Sequence, residues 1–407
     1  MNPAAPASGG GGGEPPQALV LNAGSTGLKV SLHGASGACL WRDQRRWQEL
    51  GAAGPPAGAE LAEEVAGPLA TWLEKALGAA GAGARPPLAL VGHRVVHGGE
   101  RFTAPTRLDA AVLGALATLT PLAPLHNGPA LALIRWAMGQ WPDWPQWACF
   151  DTAFHADLPP EARTYAIPAA WRRAGLRRYG FHGLNHQHVA EQVALRFASQ
   201  GTAGGGKAGR QGGSSGATGS NSDGLRLVSC HLGGGCSLCA IRGGRSVATT
   251  MGFTPLEGLV MASRSGSVDP GLLLHQLRSG MGPAELERGL QQEGGLLGLS
   301  ELSGSMEVLR AAAAPPPGGT AHPGARLAIA VFRRRLLEGI GAMAACLEGV
   351  DVVALSGGIG EHDGLLRAEL QASLSWLGPP ELVVIPADEE GVIVRGCLGA
   401  PGAGGRP

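Results

Sequence analysis

The chain has 407 residues, enough for two domains of roughly 150 to 200 residues each. Its 32 Lys and Arg balance 32 Asp and Glu, which excludes the basic footprint of a nucleic-acid binder and leaves a small molecule as the expected partner. No apolar run reaches about 18 residues, so no membrane span is expected.

In chain order, Met1 to Pro16 is small and glycine-rich, with neither a basic nor an apolar segment of the signal-peptide kind. It reads as a disordered tail, and a cytoplasmic location is expected. An apolar run, Leu19-Val20-Leu21-Asn22, then enters a glycine turn, Gly24-Ser25-Thr26-Gly27, followed by Lys29. Lysine occurs only at 29, 75 and 207, so a lysine beside a glycine turn stands out. Gly51 to Gly58 reads as a loop. Val189, Val193 and Phe197 recur every fourth residue behind Asn185, which predicts a helix capped at that asparagine. Gly201 to Gly224 is almost entirely Gly, Ser, Ala and Thr and reads as a disordered insert.

A second apolar run, from Leu227, ends in His231-Leu232-Gly233-Gly234-Gly235. Ala311 to Gly324 reads as another loop. Ile329, Phe332, Leu336, Ile340 and Met343 then predict a helix feeding a strand over Val350 to Leu355 that is covered on both faces. That strand runs into Gly357-Gly358-Ile359-Gly360-Glu361. Helix, buried strand and glycine turn together indicate an α/β fold, and the recurrence of strand and turn near residues 22 and 231 indicates a duplicated one.

Glycine lets the backbone approach a phosphate and aim N–H groups at its oxygens, so three such turns point to a nucleotide cleft. The spacing fits neither a P-loop nor the G-x-G-x-x-G dinucleotide fingerprint. The seven cysteines (39, 149, 230, 236, 239, 346, 397) contain one C-x-x-C, Cys236-Ser-Leu-Cys239, without the second pair that a zinc site needs. Reduced core thiols are expected.

Arg, His and Asp stand among glycines and prolines in five short strings. These are Gly92-His93-Arg94-Val95-Val96-His97-Gly98-Gly99, Pro121 to Asn127 with Leu125 inside it, Phe150-Asp151-Thr152-Ala153-Phe154-His155, Arg178-Tyr179-Gly180-Phe181-His182-Gly183, and Met251 to Arg264 with Pro255 inside it. Phosphoryl transfer needs such parts: cations and imidazole donors for charge on the equatorial oxygens, and carboxylates to position or hold metal. Arg94, His182 and Arg264 are the candidates for the first, and Asp151 with Glu389 for the second.

Together the strings resemble the acetate kinase family and its propionate and butyrate relatives, from about Ala18 to Gly396. The resemblance implies the fold of the acetate and sugar kinase, Hsc70 and actin superfamily, with two related α/β domains closing over ATP and Mg²⁺, or Mn²⁺ in its place. The expected domains are 17–151 joined by 384–400, and 152–383. It implies γ-phosphoryl transfer to acetate or another short-chain carboxylate, and a homodimer. Carried over by position, Arg94 holds the carboxylate, His182 and Arg264 stabilise the transferring phosphoryl, and Asp151 is the essential acid. Asn22 and Glu389 are the magnesium-linked positions, while Lys29, His231 to Gly235 and Gly357 to Glu361 contact the nucleotide. Val96, Leu125, Phe181 and Pro255 form the pocket for the acyl methyl. Five positions on the nucleotide side depart from the family pattern: Gly27, Gly234, Ser305, Glu307 and His362. A kinase for a longer acid, or a nucleotide binder without turnover, are the alternatives.

Overall fold

The computed structural model describes residues 18–24, 27–34, 36–52, 54–56, 60–79, 88–203, 224–314 and 319–401. The tail expected over 1–16, nearly all of the insert expected over 201–224, and Ser25 and Thr26 of the first glycine turn lie outside them. The chain divides into two units, one of residues 1–95, 104–149 and 390–407, the other of 96–103 and 150–389.

The first unit is built on six strands, β1 Ala18–Ala23, β2 Gly27–His33, β3 Cys39–Arg46, β4 Leu90–Val95, β5 Thr106–Arg107 and β6 Gln146–Phe150, in the order β3-β2-β1-β4-β6-β5. β1, β2 and β3 form an antiparallel meander, and β4 pairs parallel to β1. Leu19, Leu21, Leu28, Val30 and Leu32 are buried against Val65, Leu69, Leu73 and Leu77, which recur every fourth residue on the helix Glu63–Ala79. Trp47 is buried in the same cluster, and its indole N–H donates to the Gly24 carbonyl at 2.9 Å. The core thereby holds Gly24 in place. Gly27 explains its own departure from the family pattern, because a Cβ there would collide with the Arg45 carbonyl on β3.

The second unit carries β7 Arg226–Leu232, β8 Cys236–Arg242, β9 Arg245–Thr249, β10 Val352–Ser356 and β11 Glu381–Val384, in the order β11-β10-β7-β8-β9. Again the first three strands form an antiparallel meander, and a later strand, β10, pairs parallel to the first of them. The duplicated α/β architecture expected from the repeated turn is therefore present in the strand order. β10 is buried along its whole length between β7 and β11, as its unbroken apolar run requires.

Val189 and Val193 pack into the core of this sheet with Leu227, Ile241 and Val352, and Phe197 lies at its margin. The helix that carries them spans Gly183–Ala203, so Asn185 lies inside its first turn and is not the cap. Asn185 is instead buried, its Oδ1 accepting from Ser356 Oγ at 3.1 Å. The helix predicted around Phe332, Leu336 and Ile340 spans Pro323–Cys346 and buries those residues. It comes close to β8 at Gly339, where a Cβ would lie 2.7 Å from Leu238. The loop expected over 311–324 is shorter, since the helix Met306–Ala313 runs three residues into it.

All seven cysteines are free thiols. Five are buried as expected, whereas Cys39 and Cys346 are exposed. Cys236 and Cys239 are three apart on one strand and so project to opposite faces, which rules them out as a metal-binding pair. No helix among the described residues is long and apolar enough to cross a membrane.

Candidate active site

In the first unit two of the expected site residues share one face of the sheet. β1 and β4 run parallel with Val20 opposite Gly92, so Asn22 and Arg94 follow on that same face two residues later. A Cβ at Gly92 would lie 2.6 Å from Ile393, so glycine there lets the helix Glu389–Leu398 settle on the strands. Its first turn brings Glu390 to Asn22, whose Nδ2 donates to Glu390 Oε1 at 2.8 Å. Arg94 Nη1 in turn donates to Asn22 Oδ1 at 3.3 Å. Glu390 was not singled out in the sequence, where the neighbouring Glu389 was expected with Asn22 as a magnesium-linked position. Glu389 is the first residue of the same helix and is buried. Lys29 faces Asn22 across the β1–β2 ladder and is exposed. Leu125 sits half-buried on the helix Pro124–Gln140.

The opposite face of β4 carries His93, whose Nε2 donates to Gln146 Oε1 at 2.7 Å. Burial pushes this imidazole down to about 4, against the opposing pull of the Gln146 bond. It is a neutral structural histidine.

In the second unit, β7 and β10 are adjacent and parallel, and the second and third glycine turns leave their C-terminal ends side by side. This is the position where open α/β sheets bind ligands. Gly357 has a φ of 78°, and a Cβ there would lie 2.8 Å from the Leu232 carbonyl, so only glycine suits it. Glu361 Oε1 accepts from the backbone N–H groups of Gly357 at 3.0 Å and Ala387 at 2.9 Å, which ties the third turn to the segment before Glu389. Gly233 and Gly358 approach closely, a Cβ on the former lying 3.9 Å from the backbone nitrogen of the latter. Gly234 and Gly358 face open space, leaving both turns uncovered by side chains at these points.

His182 reaches the second turn by an unusual backbone. Its φ is 56°, the left-handed region that costs a non-glycine residue energy, and Gly180 before it has a φ of 76°. Three bonds hold the bend: Gly183 N–H to the Asp151 carbonyl at 2.9 Å, His186 N–H to the His182 carbonyl at 3.0 Å, and His155 Nε2 to the Phe181 carbonyl at 3.1 Å. Gly183 has no room for a side chain, since a Cβ would run into the Asp151 carbonyl. The Asp151 and His182 strings are therefore joined through backbone, and the Asp151 residue is buried.

Arg264 comes to the same turn from the other side. Its Nη1 donates to the Pro255 carbonyl at 2.7 Å, which steadies the guanidinium. A Cβ on Gly235 would lie 2.6 Å from Arg264 Nη2 and 3.1 Å from His182 Nε2. The bare α-carbon of Gly235 is thus where the two meet. Arg178, which the sequence placed in a string without a role, is a clamp. Its Nη1 donates to the carbonyls of Thr249, Thr250 and Met251, and its Nη2 pairs with Glu257 at 2.6 Å, fixing the loop that carries Pro255. Phe181 and Val96 are both buried in this unit.

On the nucleotide side, Ser305 caps the helix Met306–Ala313, Met306 is buried and Glu307 is exposed. Arg310, one turn on, pairs with Asp363 at 3.0 Å and Glu369 at 3.1 Å. Asp363 follows His362 directly and caps the helix Gly364–Ser373. An ion pair thus ties the segment bearing Ser305 and Glu307 to the one bearing the third turn.

Four histidines of the two units are held neutral by burial: His93, His97 and His155 down to about 4, and His186 well below its ordinary value. With folded values below the unfolded one near 6.5, the unfolded chain takes up protons first as pH falls. The stability these residues provide is complete above about pH 6.5 and is lost progressively as pH falls toward 4. The urea midpoint should therefore fall steeply between pH 7.5 and 5, with a shallower fall in His93→Gln. An unchanged midpoint over that range would refute the assignment.

Two glycine turns thus end adjacent parallel strands, and a guanidinium and an imidazole meet at one of them, the kinds of group that phosphoryl transfer requires. The pattern of the acetokinase family matches residues 57–201 and 215–393. An acetate kinase of Synechococcus sp. (strain JA-2-3B'a(2-13)) is 44% identical over 329 residues, 75% of this chain and 75% of that one. The structure is similar to the acetate kinase of Porphyromonas gingivalis, with a TM-score of 0.76 and 27% identity over 93% of this chain and 98% of that one. It is also similar to a propionate kinase from Francisella tularensis, with a TM-score of 0.78, 27% identity and the same coverage. The chain belongs to the acetokinase family. It is a phosphotransferase with a carboxyl group as acceptor.

Proposed function

We propose that the chain is an acetate kinase, moving the γ-phosphoryl group of ATP reversibly to acetate to give acetyl phosphate and ADP. The observation that carries the reading is the meeting of His182 and Arg264 over Gly235, beside two uncovered glycine turns. Backbone N–H groups of those turns cradle the phosphates, and the two side chains receive the charge that spreads over the equatorial oxygens. Arg94 binds the carboxylate as an ion pair and aims one oxygen at phosphorus. That oxygen is already ionised at neutral pH, so the protein's work is orientation more than proton removal. Val96, Phe181, Pro255 and Leu125 are the apolar residues that limit the acyl chain, and Asp151 supplies the acidic group of the site.

Among the described residues no three His, Cys, Asp or Glu side chains form a metal cage. Mg²⁺ does not need one, since it takes one or two carboxylates, water and phosphate oxygens, and the oxygen donors of Asn22 and Glu390, with Glu389 beside them, suit it. Mg²⁺ held there would supply positive charge to offset that of the phosphate oxygens. A reaction that consumes ATP belongs in the cytoplasm, next to acetyl-CoA synthesis. The expected assembly is a homodimer.

The test uses purified protein with ATP, Mg²⁺ and acetate, trapping acyl phosphate as the hydroxamate, with propionate, butyrate and GTP as parallel arms. Product that is greatest with acetate, from protein of dimer mass, is expected. Greater kcat/KM with propionate moves the assignment to the propionate kinases. Folded protein that binds nucleotide and yields no product with any acid refutes the kinase reading.

A further inference from the structure

The surroundings of His182 hold a chain of hydroxyls and imidazoles that the reaction as described does not use. Its Nδ1 lies 2.9 Å from Ser237 Oγ on β8. The same hydroxyl lies 2.8 Å from His186 Nε2, and His186 Nδ1 lies 2.8 Å from Ser229 Oγ on β7. All three residues behind His182 are fully buried. His186 sits four residues after His182, one helical turn away, so both rings reach the single strand position between them.

A serine hydroxyl has one proton and can donate to only one of the two rings, so the other ring must donate to it. Burial keeps His186 neutral, with one ring nitrogen a donor and the other an acceptor. Two directions of donation are open along this chain. In one, Ser229 donates to His186 Nδ1, His186 Nε2–H donates to Ser237, and Ser237 donates to His182 Nδ1, which places the proton of a neutral His182 on Nε2. In the other, every bond is reversed and His182 Nδ1–H donates; the buried Ser229 hydroxyl then only accepts and its proton has no partner, so a neutral ring favours the first direction and the charged ring, protonated on both nitrogens, takes the second. We infer that Ser237, backed by His186 and Ser229, is a positioning residue that keeps a proton on the Nε2 of His182, facing Gly235, in both charge states of the ring. The relay reverses direction as His182 titrates, and the donor toward the phosphoryl oxygen is retained. This rests on the phosphoryl-stabilising role proposed for His182. The other titratable or charged groups around the ring are His231, at 4.3 Å between ring centroids, Arg264 across Gly235, Asp151 whose carbonyl anchors Gly183, and His155, which lies 5.7 Å from the His186 ring.

The test is the ring-nitrogen NMR spectrum of protein labelled with ¹⁵N-histidine, in complex with Mg²⁺ and a non-hydrolysable ATP analogue, with His182 assigned from His182→Gln. At a pH where the ring is neutral, wild type is expected as the Nε2–H tautomer. Ser237→Ala should show a tautomer mixture and lose kcat by about ten- to a hundredfold with KM for acetate little changed. His186→Gln, which keeps an N–H at the Nε2 position, should retain the wild-type tautomer. An Nδ1–H tautomer in wild type overturns the relay whatever the variants do, as does a Ser237→Ala variant with unchanged tautomer and kcat. Absence of acyl phosphate from wild type would instead count against the kinase reading, and the spectrum still decides the relay.

Discussion

Replacing Arg264 with alanine lowers kcat by about 10² to 10³, the usual cost of removing one donor from a charge-stabilising site, while KM for acetate moves little. Nη1 is committed to the Pro255 carbonyl, which leaves Nη2 at Gly235 beside the His182 ring. An ammonium group cannot hold the carbonyl and reach the turn with separate nitrogens, so Arg264→Lys should recover only part of the loss. His182→Ala should lose a similar amount, and the double variant much less than the product of the two, because both groups act on the same developing charge. Hydroxylamine-trap kinetics on folded variants decide this. A kcat within about threefold of wild type in Arg264→Ala would remove the residue from the phosphoryl site.

The sequence reading reached as far as local patterning extends and stopped where tertiary packing decides. The glycine turns were legible because each ends an apolar run, and β7 and β10 bring two of them together as adjacent parallel strands. The helix over 183–203 was legible from Val189, Val193 and Phe197, but its start was not. The left-handed backbone at Gly180 and His182 begins the helix before Asn185, and nothing in the residue types announces a positive φ at a histidine. Glu389 and Glu390 are adjacent carboxylates with the same local signal. Only the seating of their helix on Gly92 determines that Glu390 meets Asn22. No local pattern marks Ser237 and His186, whose contact spans 51 positions of sequence.

The departures on the nucleotide side separate on the same physical grounds. Gly27 is forced by the Arg45 carbonyl, so restoring a family-like serine there should fail sterically. Ser305 supplies the helix cap, which a serine or an aspartate both do well. Glu307 is exposed, and the charge a family member would carry there is absent. What remains is the link from Arg310 to Asp363 and Glu369, which fixes the two flanking segments to each other.

Gly235 and Gly234 offer the sharpest separation between folding and chemistry. Neither has the positive φ that would strain a side chain, so alanine fits the backbone at both. At Gly234 a Cβ meets nothing within 4 Å, and Gly234→Ala, or the asparagine usual in the family, should leave kcat and the melting temperature close to wild type. At Gly235 the Cβ would sit 2.6 Å from Arg264 Nη2 and 3.1 Å from the His182 ring. The arginine head is the end of a long side chain and can swing away, so the fold survives at little cost. The displaced guanidinium and imidazole no longer face the phosphoryl position, and a misplacement of about 1 Å is enough to cost about 10²-fold in rate. Gly235→Ala should therefore melt like wild type and lose about a hundredfold in kcat, whereas Gly234→Ala loses almost nothing. Equal activity in the two variants would mean that the groups meeting at Gly235 are not those that stabilise the reaction.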